Sequence, residues 1–138
     1  MRTGGIAVVY RPGRAGAAAL AESARLARAE GRELSVLALA PQDTDPALCV
    51  VYTEAFNEGV RADALGELGE ARHLLGADGR DARYVLLLAG RDPTLESWLA
   101  AERPAVVLLA GGGLRGIGAR RRARRLRRAG TEVRLIDR

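Results

Sequence analysis

The sequence predicts an α/β fold, an open five-stranded parallel sheet in the order 3-2-1-4-5 with helices on both faces. Short apolar runs alternate with longer amphipathic segments along the chain, which gives the order βαβαβαβαβ. Three apolar runs (4–10, 82–90 and 104–111) are continuous, as in strands that helices cover on both sides. Right-handed crossovers then place helices on both faces, and a length of 138 residues suits a single domain over 1–138.

The first half of the chain predicts two strands around one helix. Strand 1 covers 4–10, and a helix over 14–31 follows with apolar residues at helical spacing. Gly31 is placed to end that helix in a left-handed conformation. Strand 2 covers 32–41, and the turn-forming residues of 41–50 predict a loop.

The middle of the chain predicts a long helix, a strand and a short helix. The long helix covers 53–76, and three glycines weaken it: Gly59, Gly66 and Gly69. Strand 3 covers 82–90. The short helix covers 92–103, with Asp92 as N-cap and Pro93 at the first helical position.

The last third predicts strand 4 over 104–111, a helix over 117–129 that stops at Gly130, and strand 5 over 132–137. In an open sheet of this order, ligands bind at the carboxyl ends of strands 1 and 4, where the strand order reverses. The loops 10–16 and 110–118 both lie there, and both are glycine-rich and open a helix.

Backbone amides at a helix N-terminus suit phosphate, and arginines add charge-assisted hydrogen bonds. The candidate nucleotide- or phosphate-binding residues are Arg11, Gly13, Gly111, Gly112, Gly113, Arg115 and Gly116. The segment is neither a P-loop, because no Gly-Lys-Ser/Thr follows, nor the dinucleotide fingerprint, because it follows strand 4. The alternative is a strand-to-helix turn that binds nothing.

Charge is concentrated in the C-terminal quarter. The net charge is +5, and all 22 basic residues are arginines. Residues 1–104 hold 12 arginines and 15 acids, a net of −3, whereas residues 105–138 hold 10 arginines and 2 acids, a net of +8. Compositional bias explains the choice of arginine over lysine, but this asymmetry needs a further cause.

Most of that charge lies in the last helix. Its apolar residues Ala119, Ala123 and Leu126 form one narrow stripe, and arginines cover the rest. The candidate polyanion face consists of Arg120, Arg121, Arg124, Arg125 and Arg128. Its partner would be nucleic acid or another anionic macromolecule. The alternative is a solvated helix paired with acids of the preceding helix or of a partner subunit.

The sequence contains no recognisable catalytic or metal-binding constellation. Ser23, Ser35 and Ser97 have no paired base, and His73 stands alone. We therefore predict a protein that is not an enzyme and holds no metal; a weak ATPase is the least supported alternative. The single cysteine, Cys49, and the lack of a signal peptide or an apolar span predict a soluble, cytoplasmic protein.

Three stretches together resemble the universal stress protein family over nearly the whole chain: `IAVVYRPGRAGAAALAESARLARAEGRELSVLALAP`, `GRDPTLESWLAAERPAVVLLAGG` and `RRAGTEVRLID`. The resemblance implies a Rossmann-like regulatory module that responds to stress. It also implies ATP or another adenine nucleotide as ligand, and a homodimer paired through the last strand, Glu132 to Asp137.

The sequence departs from the family's nucleotide motif at two places. Arg11 stands where family members that bind nucleotides carry Asp. The Gly-Ser or Gly-Thr that closes their Gly-x-x-Gly motif falls on Ala123-Arg124 or on Ala119-Arg120, depending on the alignment. The resemblance therefore implies a degenerate nucleotide pocket between strands 1 and 4.

Overall fold

The computed structural model describes residues 4–40, 50–88, 94–111 and 116–137. Its strands are β1 (Ile6–Val9), β2 (Leu34–Ala40), β3 (Arg83–Leu88), β4 (Val106–Ala110) and β5 (Val133–Ile136). Its α-helices are α1 (Arg14–Glu30), α2 (Val50–Leu75), α3 (Leu95–Glu102) and α4 (Gly116–Arg128), and a 3₁₀ turn (Gly76–Gly79) follows α2. The strands form one parallel sheet in the order β3-β2-β1-β4-β5, which confirms the predicted fold class.

The sheet separates two hydrophobic layers. Ile6 and Val8 of β1 join the layer beneath α1 and α2. Ala7 and Val9 join the opposite layer, beneath α3 and α4. All four side chains are buried, because successive residues of a strand point to opposite faces and both faces are covered.

Two predicted helix stops are confirmed. Gly31 follows α1 with φ 63°, and the amide of Arg32 donates to the carbonyl of Ala27. Gly130 has φ 92°, and the amide of Thr131 donates to the carbonyl of Leu126. Each glycine adopts a left-handed conformation that satisfies carbonyls at the helix end.

The long helix differs from its prediction. It begins at Val50, inside the segment predicted as a loop, and it continues past its glycines to Leu75. Ala64, Leu68, Ala71 and Leu75 are buried against the sheet at helical spacing. This packing outweighs the low helix propensity of glycine. The rest of the predicted loop, residues 41–49, lies outside the described residues.

The predicted N-cap at Asp92 is wrong. Helix α3 begins at Leu95, and Thr94 is its N-cap. The Thr94 hydroxyl accepts from the Ser97 amide at 3.2 Å, and the Ser97 hydroxyl accepts from the Thr94 amide at 2.8 Å. This reciprocal pair satisfies two backbone donors at the helix start. Asp92 and Pro93 lie outside the described residues.

None of the helices in the described part of the chain has the length and apolarity that a membrane span requires.

The first turn of α1 packs directly on the loop that follows β1. Gly13 is the N-cap with φ 118°, and its carbonyl accepts from the Ala17 amide at 2.9 Å. A Cβ atom on the buried Gly16 would overlap the carbonyl oxygen of Arg11. Gly16 therefore allows the helix to approach the loop that carries Arg11.

We predict that Gly16→Ala lowers the free energy of unfolding by about 1–3 kcal/mol, because the added methyl group forces backbone apart in a packed turn. Urea unfolding followed by circular dichroism measures this change.

Gly69→Ala is the matched control. Gly69 lies inside α2, is exposed, and has no atom within 4 Å of an added Cβ. This substitution should stabilise the protein by about 0.5–1 kcal/mol through helix propensity alone. An equal gain in stability from both substitutions would contradict the close approach at Gly16.

Candidate functional site

The carboxyl ends of β1 and β4 lie side by side, at the place where the strand order predicts a crevice. The two strands are neighbours, with Val9 opposite Leu109. From this pair the chain leads outward in opposite directions, from β1 to β2 and from β4 to β5. The strand order therefore reverses at this pair, which is where ligands bind in open sheets of this kind. Residues 112–115, which follow β4, lie outside the described residues.

The β1 side of the crevice carries two of the predicted residues. The Tyr10 amide donates to the Leu37 carbonyl at 2.9 Å, which extends the sheet by one residue. Arg11 follows immediately and is exposed. Gly13 then adopts φ 118°, a conformation that L side chains rarely reach, before α1 starts.

The β4 side carries Gly111. Its amide donates to the Ile136 carbonyl at 2.8 Å, and a Cβ atom would lie 2.7 Å from an Asp137 carboxylate oxygen. Gly116 is the first residue of α4. The predicted Gly112, Gly113 and Arg115 lie outside the described residues, so their contribution stays a prediction.

Carboxylates of α2 lie next to the end of β1, on the side of β2. A cleft of about 190 Å³ lies there, lined by Val9, Tyr10, Arg11, Leu39, Asp63, Ala64 and Glu67. Tyr10 is 1% exposed. Burial, followed by the charge of Glu70 and a hydrogen bond to it, raises the pKa of Tyr10 to about 12, and Glu67 adds to the rise. The phenol therefore donates to a carboxylate from a buried position.

Arginines lie on the α4 side. Arg122 is half-buried, and burial lowers the pKa of its guanidinium. The charge of Glu96 opposes this shift, whereas the charges of Arg11 and Arg125 add to it. Arg11, at the end of β1, is therefore close enough to Arg122 to repel it. An anion beside this pair would relieve both the burial cost and the repulsion.

Arg122 was not among the predicted site residues. Helical spacing assigned it to the solvent-exposed side of α4, yet it lies at the border of the stripe formed by Ala119, Ala123 and Leu126. It immediately precedes Ala123, about 100° around the helix. A charged residue next to an apolar stripe is the signal that could have identified it.

The predicted polyanion face is exposed at all five positions: Arg120, Arg121, Arg124, Arg125 and Arg128. Arg125 forms an ion pair with Glu96 of α3 at 3.3 Å. The expected pairing with an acid of the preceding helix therefore holds for Arg125. For the other four, no acidic partner is found within the described ranges.

The three serines that the sequence offered as nucleophiles are buried or bonded within secondary structure. The Ser23 hydroxyl is buried and donates to the Leu20 carbonyl at 2.7 Å. Ser97 belongs to the cap of α3, and Ser35 is a buried residue of β2. Across the described ranges, no group of three or more His, Cys, Asp or Glu side chains is placed to hold a metal ion.

A larger cleft, of about 290 Å³, lies at the opposite end of the sheet, between Gly4, Ser35, Arg83, Trp98 and Glu102. Arg83 contacts carboxylate oxygens there, Glu102 at 3.2 Å and Glu33 at 3.6 Å. The charges of this cleft thus compensate one another. This cleft also lies at the amino ends of the strands, whereas ligands of open α/β sheets bind at the carboxyl ends. Although it is larger, we therefore keep the carboxyl ends of β1 and β4 as the candidate site.

Solved structures with this strand order and this length share the fold. A universal stress protein from Lactobacillus plantarum superposes with a TM-score of 0.76 at 15% identity, over 99% of each chain. The chain has the universal stress protein fold.

Three further universal stress proteins have the same fold. The protein from Burkholderia pseudomallei gives a TM-score of 0.70 at 16% identity, over 95% of this chain and 94% of that one. The protein from Archaeoglobus fulgidus, solved in complex with dAMP, gives 0.67 at 19% identity, over 99% of each chain. Another universal stress protein was solved with cAMP and gives 0.65 at 16% identity, over 96% of each chain.

Comparison with models of protein families and with curated proteins gave no match. The universal stress protein fold is thus evident in backbone geometry at sequence identities between 15% and 19%.

We predict that stability falls steeply between pH 10 and pH 12 because of Tyr10. The unfolded phenol loses its proton near pH 10, whereas the folded phenol keeps it to about 12. The native state therefore binds more protons in this window, so raising the pH favours unfolding by up to about 2–3 kcal/mol. Urea unfolding at a series of pH values measures this loss.

Tyr10→Phe should remove most of that step, although its stability at neutral pH falls because the hydrogen bond to Glu70 is lost. Tyr84→Phe is the comparison, since the Tyr84 hydroxyl donates to the Gly79 carbonyl and the substitution leaves Tyr10 unchanged. Burial raises the pKa of Tyr84 as well, but less than that of Tyr10, so this substitution should remove a smaller part of the loss. Parallel pH profiles for the wild type and Tyr10→Phe would rule out Tyr10 as the source.

Proposed function

We propose that this protein is a regulatory member of the universal stress protein family that binds an adenine nucleotide between β1 and β4 without turning it over. The observation that carries the proposal is the proximity of Arg11 to the half-buried Arg122 at the predicted crevice. A role in the stress response and a cytoplasmic location belong to the same proposal.

The phosphates would lie on the arginine side of the crevice. Guanidinium groups form bidentate, charge-assisted hydrogen bonds with phosphate oxygens. Helix α4 begins at Gly116, shortly after β4, and the backbone amides and dipole of a helix N-terminus favour an anion. Phosphate would also offset the repulsion between Arg11 and Arg122.

The nucleoside would lie on the α2 side. Val9, Leu39 and Ala64 provide apolar surface for a base, and the carboxylates of Asp63 and Glu67 accept hydrogen bonds from hydroxyl or amino groups. The crevice thus has a basic side and an acidic side, which matches the polarity of a nucleotide. The cAMP and dAMP complexes of proteins with the same fold support this choice of ligand class.

The binding mode would differ from the usual family mode. Arg120 and Arg124 align with the small hydroxyl residue of the Gly-Ser pair, and both are exposed. The half-buried Arg122 would take over the phosphate contact. This pocket is degenerate in motif, and arginine replaces the missing hydroxyl.

The proposal excludes turnover because the described part of the crevice offers no paired nucleophile and base. Tyr10 is buried with a raised pKa and donates to Glu70, so it is a poor base at neutral pH. Binding without turnover suits a regulatory module.

We predict that ATP and AMP bind to the wild type and that Arg122→Gln weakens binding about tenfold or more. A hydrogen bond to a charged group contributes roughly 1.5–3 kcal/mol, and about 1.4 kcal/mol corresponds to a factor of ten. Titration calorimetry at physiological salt measures the dissociation constants. Release of phosphate from ATP is followed in parallel.

Arg121→Gln is the matched control, because Arg121 is an exposed residue of the same helix and the substitution removes the same charge. Its affinity for ATP should change less than twofold. Absence of ATP and AMP binding at millimolar concentration would overturn the proposal. Equal loss in both variants would show that Arg122 acts only through long-range charge.

A homodimer paired through β5 is the second part of the proposal. This strand is an edge of the sheet, and the carbonyls of Glu132 and Ile136 accept from β4. The backbone groups of the alternate residues, Val133 and Leu135, therefore point outward. The outer edge is covered at one point, where Arg127 donates to the Val133 carbonyl at 2.8 Å. The proposed pairing would displace this guanidinium.

We predict a dimer in sedimentation equilibrium, because an exposed strand edge tends to pair. Arg127→Ala should tighten the dimer, since it uncovers the Val133 carbonyl. A monomer at all concentrations, for the wild type and the variant, would contradict pairing through β5.

A further inference from the structure

We propose that the outer face of α4 binds the phosphate backbone of double-stranded nucleic acid without reading its sequence. This arginine face consists of Arg120, Arg121, Arg124, Arg125 and Arg128, all exposed. It does not include Arg122, which is half-buried at the border of the apolar stripe and belongs to the proposed nucleotide site.

The arginine face differs from the other arginines of the structure. Arg25 contacts Glu22, Arg28 contacts Asp78, and Arg83 contacts Glu102. Within the described ranges, Arg125 is the one residue of the arginine face that forms an ion pair, with Glu96. Arg61, Arg80 and Arg103 also form no ion pair there, but they lie on separate parts of the fold. The arginine face differs from them because it groups its arginines on one exposed helix face.

The arginine face has an energetic cost that the isolated chain does not recover. Helix α4 carries seven arginines and no acid, and Arg121/Arg125 and Arg124/Arg128 are like-charge pairs at i,i+4 spacing. The helix dipole favours Arg125 and Arg128 in the last turn but gives no such stabilisation to Arg120 and Arg121. A bound polyanion would offset the repulsion between the like charges.

The spacing of the arginines suits a phosphate backbone. Arg120, Arg124 and Arg128 form one row along the helix, four residues apart. A rise of about 1.5 Å per residue separates neighbours by about 6 Å, so the row spans about 12 Å. Successive phosphates of one strand lie about 3.4 Å apart along a duplex axis, so three or four of them match this row.

The chemistry of the arginine face favours a duplex over other polyanions. It has no aromatic side chain on which an unpaired base could stack, which disfavours single strands. It has no apolar centre of the kind that protein interfaces use, because Ala123 and Leu126 are buried against the sheet. The planar guanidinium fork recognises phosphate, and contacts to phosphate alone carry no sequence information.

The charge of the rest of the molecule would orient the bound duplex. Helix α2 contains five acids and two arginines, and it packs on the sheet face opposite α4. Negative charge on that face repels nucleic acid while α4 attracts it. We therefore expect one binding face per protomer.

The test measures binding of a fluorescently labelled 20-base-pair DNA duplex of mixed sequence by anisotropy, between 50 and 200 mM salt. The variant is Arg120→Gln/Arg124→Gln/Arg128→Gln, in which glutamine retains helix propensity. Each lost phosphate contact reduces the slope of log K against log salt by about 0.9. The triple variant should therefore lower the slope by about 2.7 and weaken binding at least tenfold at 50 mM salt.

The control is Arg61→Gln/Arg80→Gln/Arg103→Gln, which removes the same charge from exposed positions outside α4. Its salt slope should stay within about 0.5 of the wild type. Thermal unfolding of all three proteins verifies that each is folded.

Three results would overturn the proposal. The first is absence of duplex binding at 50 mM salt. The second is an equal loss of duplex affinity and salt slope in the control variant, which would show that binding depends only on the net charge of the protein. The third is tighter binding of a single strand or of polyglutamate than of the duplex at equal charge, which would assign the arginine face to another partner class.

Discussion

The structure depends on β1, a strand that is buried on both faces and paired on both edges. Its four side chains lie in two opposite hydrophobic layers, and its backbone bonds to β2 on one side and β4 on the other. A polar side chain anywhere in this strand would lie in one of these layers without water. The β1/β4 junction is also where the order of the strands reverses, so the same strand defines the core and the crevice.

Negative and positive side chains lie on opposite sides of this central strand. Carboxylates of α2 lie beside the end of β1, and Arg122 lies on α4, which covers the other face of the sheet. Arg11 follows β1, and its charge acts on Arg122. Gly16 allows the first turn of α1 to pack against the Arg11 carbonyl. The distribution of charge at this end of the sheet therefore follows from which helix covers which face.

Much of the fold could be predicted from the sequence because a strand that is buried on both faces contains few polar residues, and such a run is easily recognised. The runs at 4–10 and 104–111 identified the two central strands in this way, and Gly31 and Gly130 marked helix ends through their conformational freedom. The start of α3 was wrong because Asp92 and Thr94 both suit an N-cap. The reciprocal bond with Ser97, a three-dimensional feature, decides between them.

The candidate site was predicted from the strand order, which the structure confirms. Arg11, Gly13 and Gly111 lie at the carboxyl ends of β1 and β4, and their role in binding stays a prediction. Arg122 was missed because helical spacing sorts residues into buried and exposed ones. It does not identify a half-buried residue at the border of the apolar stripe. Its surroundings depend on Arg11 and Glu96, which are distant in sequence.

The pairing of β1 with β4 has a consequence for synthesis of the chain. Ile6 lies opposite Val106, one hundred residues later, whereas it lies opposite Leu34 on its other edge. During translation β1 can pair with β2 early, but its second edge has no partner until three quarters of the chain has left the ribosome. Such long-range closure slows folding and exposes intermediates to aggregation. The crevice between β1 and β4 is absent from the nascent chain until then, so an adenine nucleotide bound there would stabilise only the nearly completed protein.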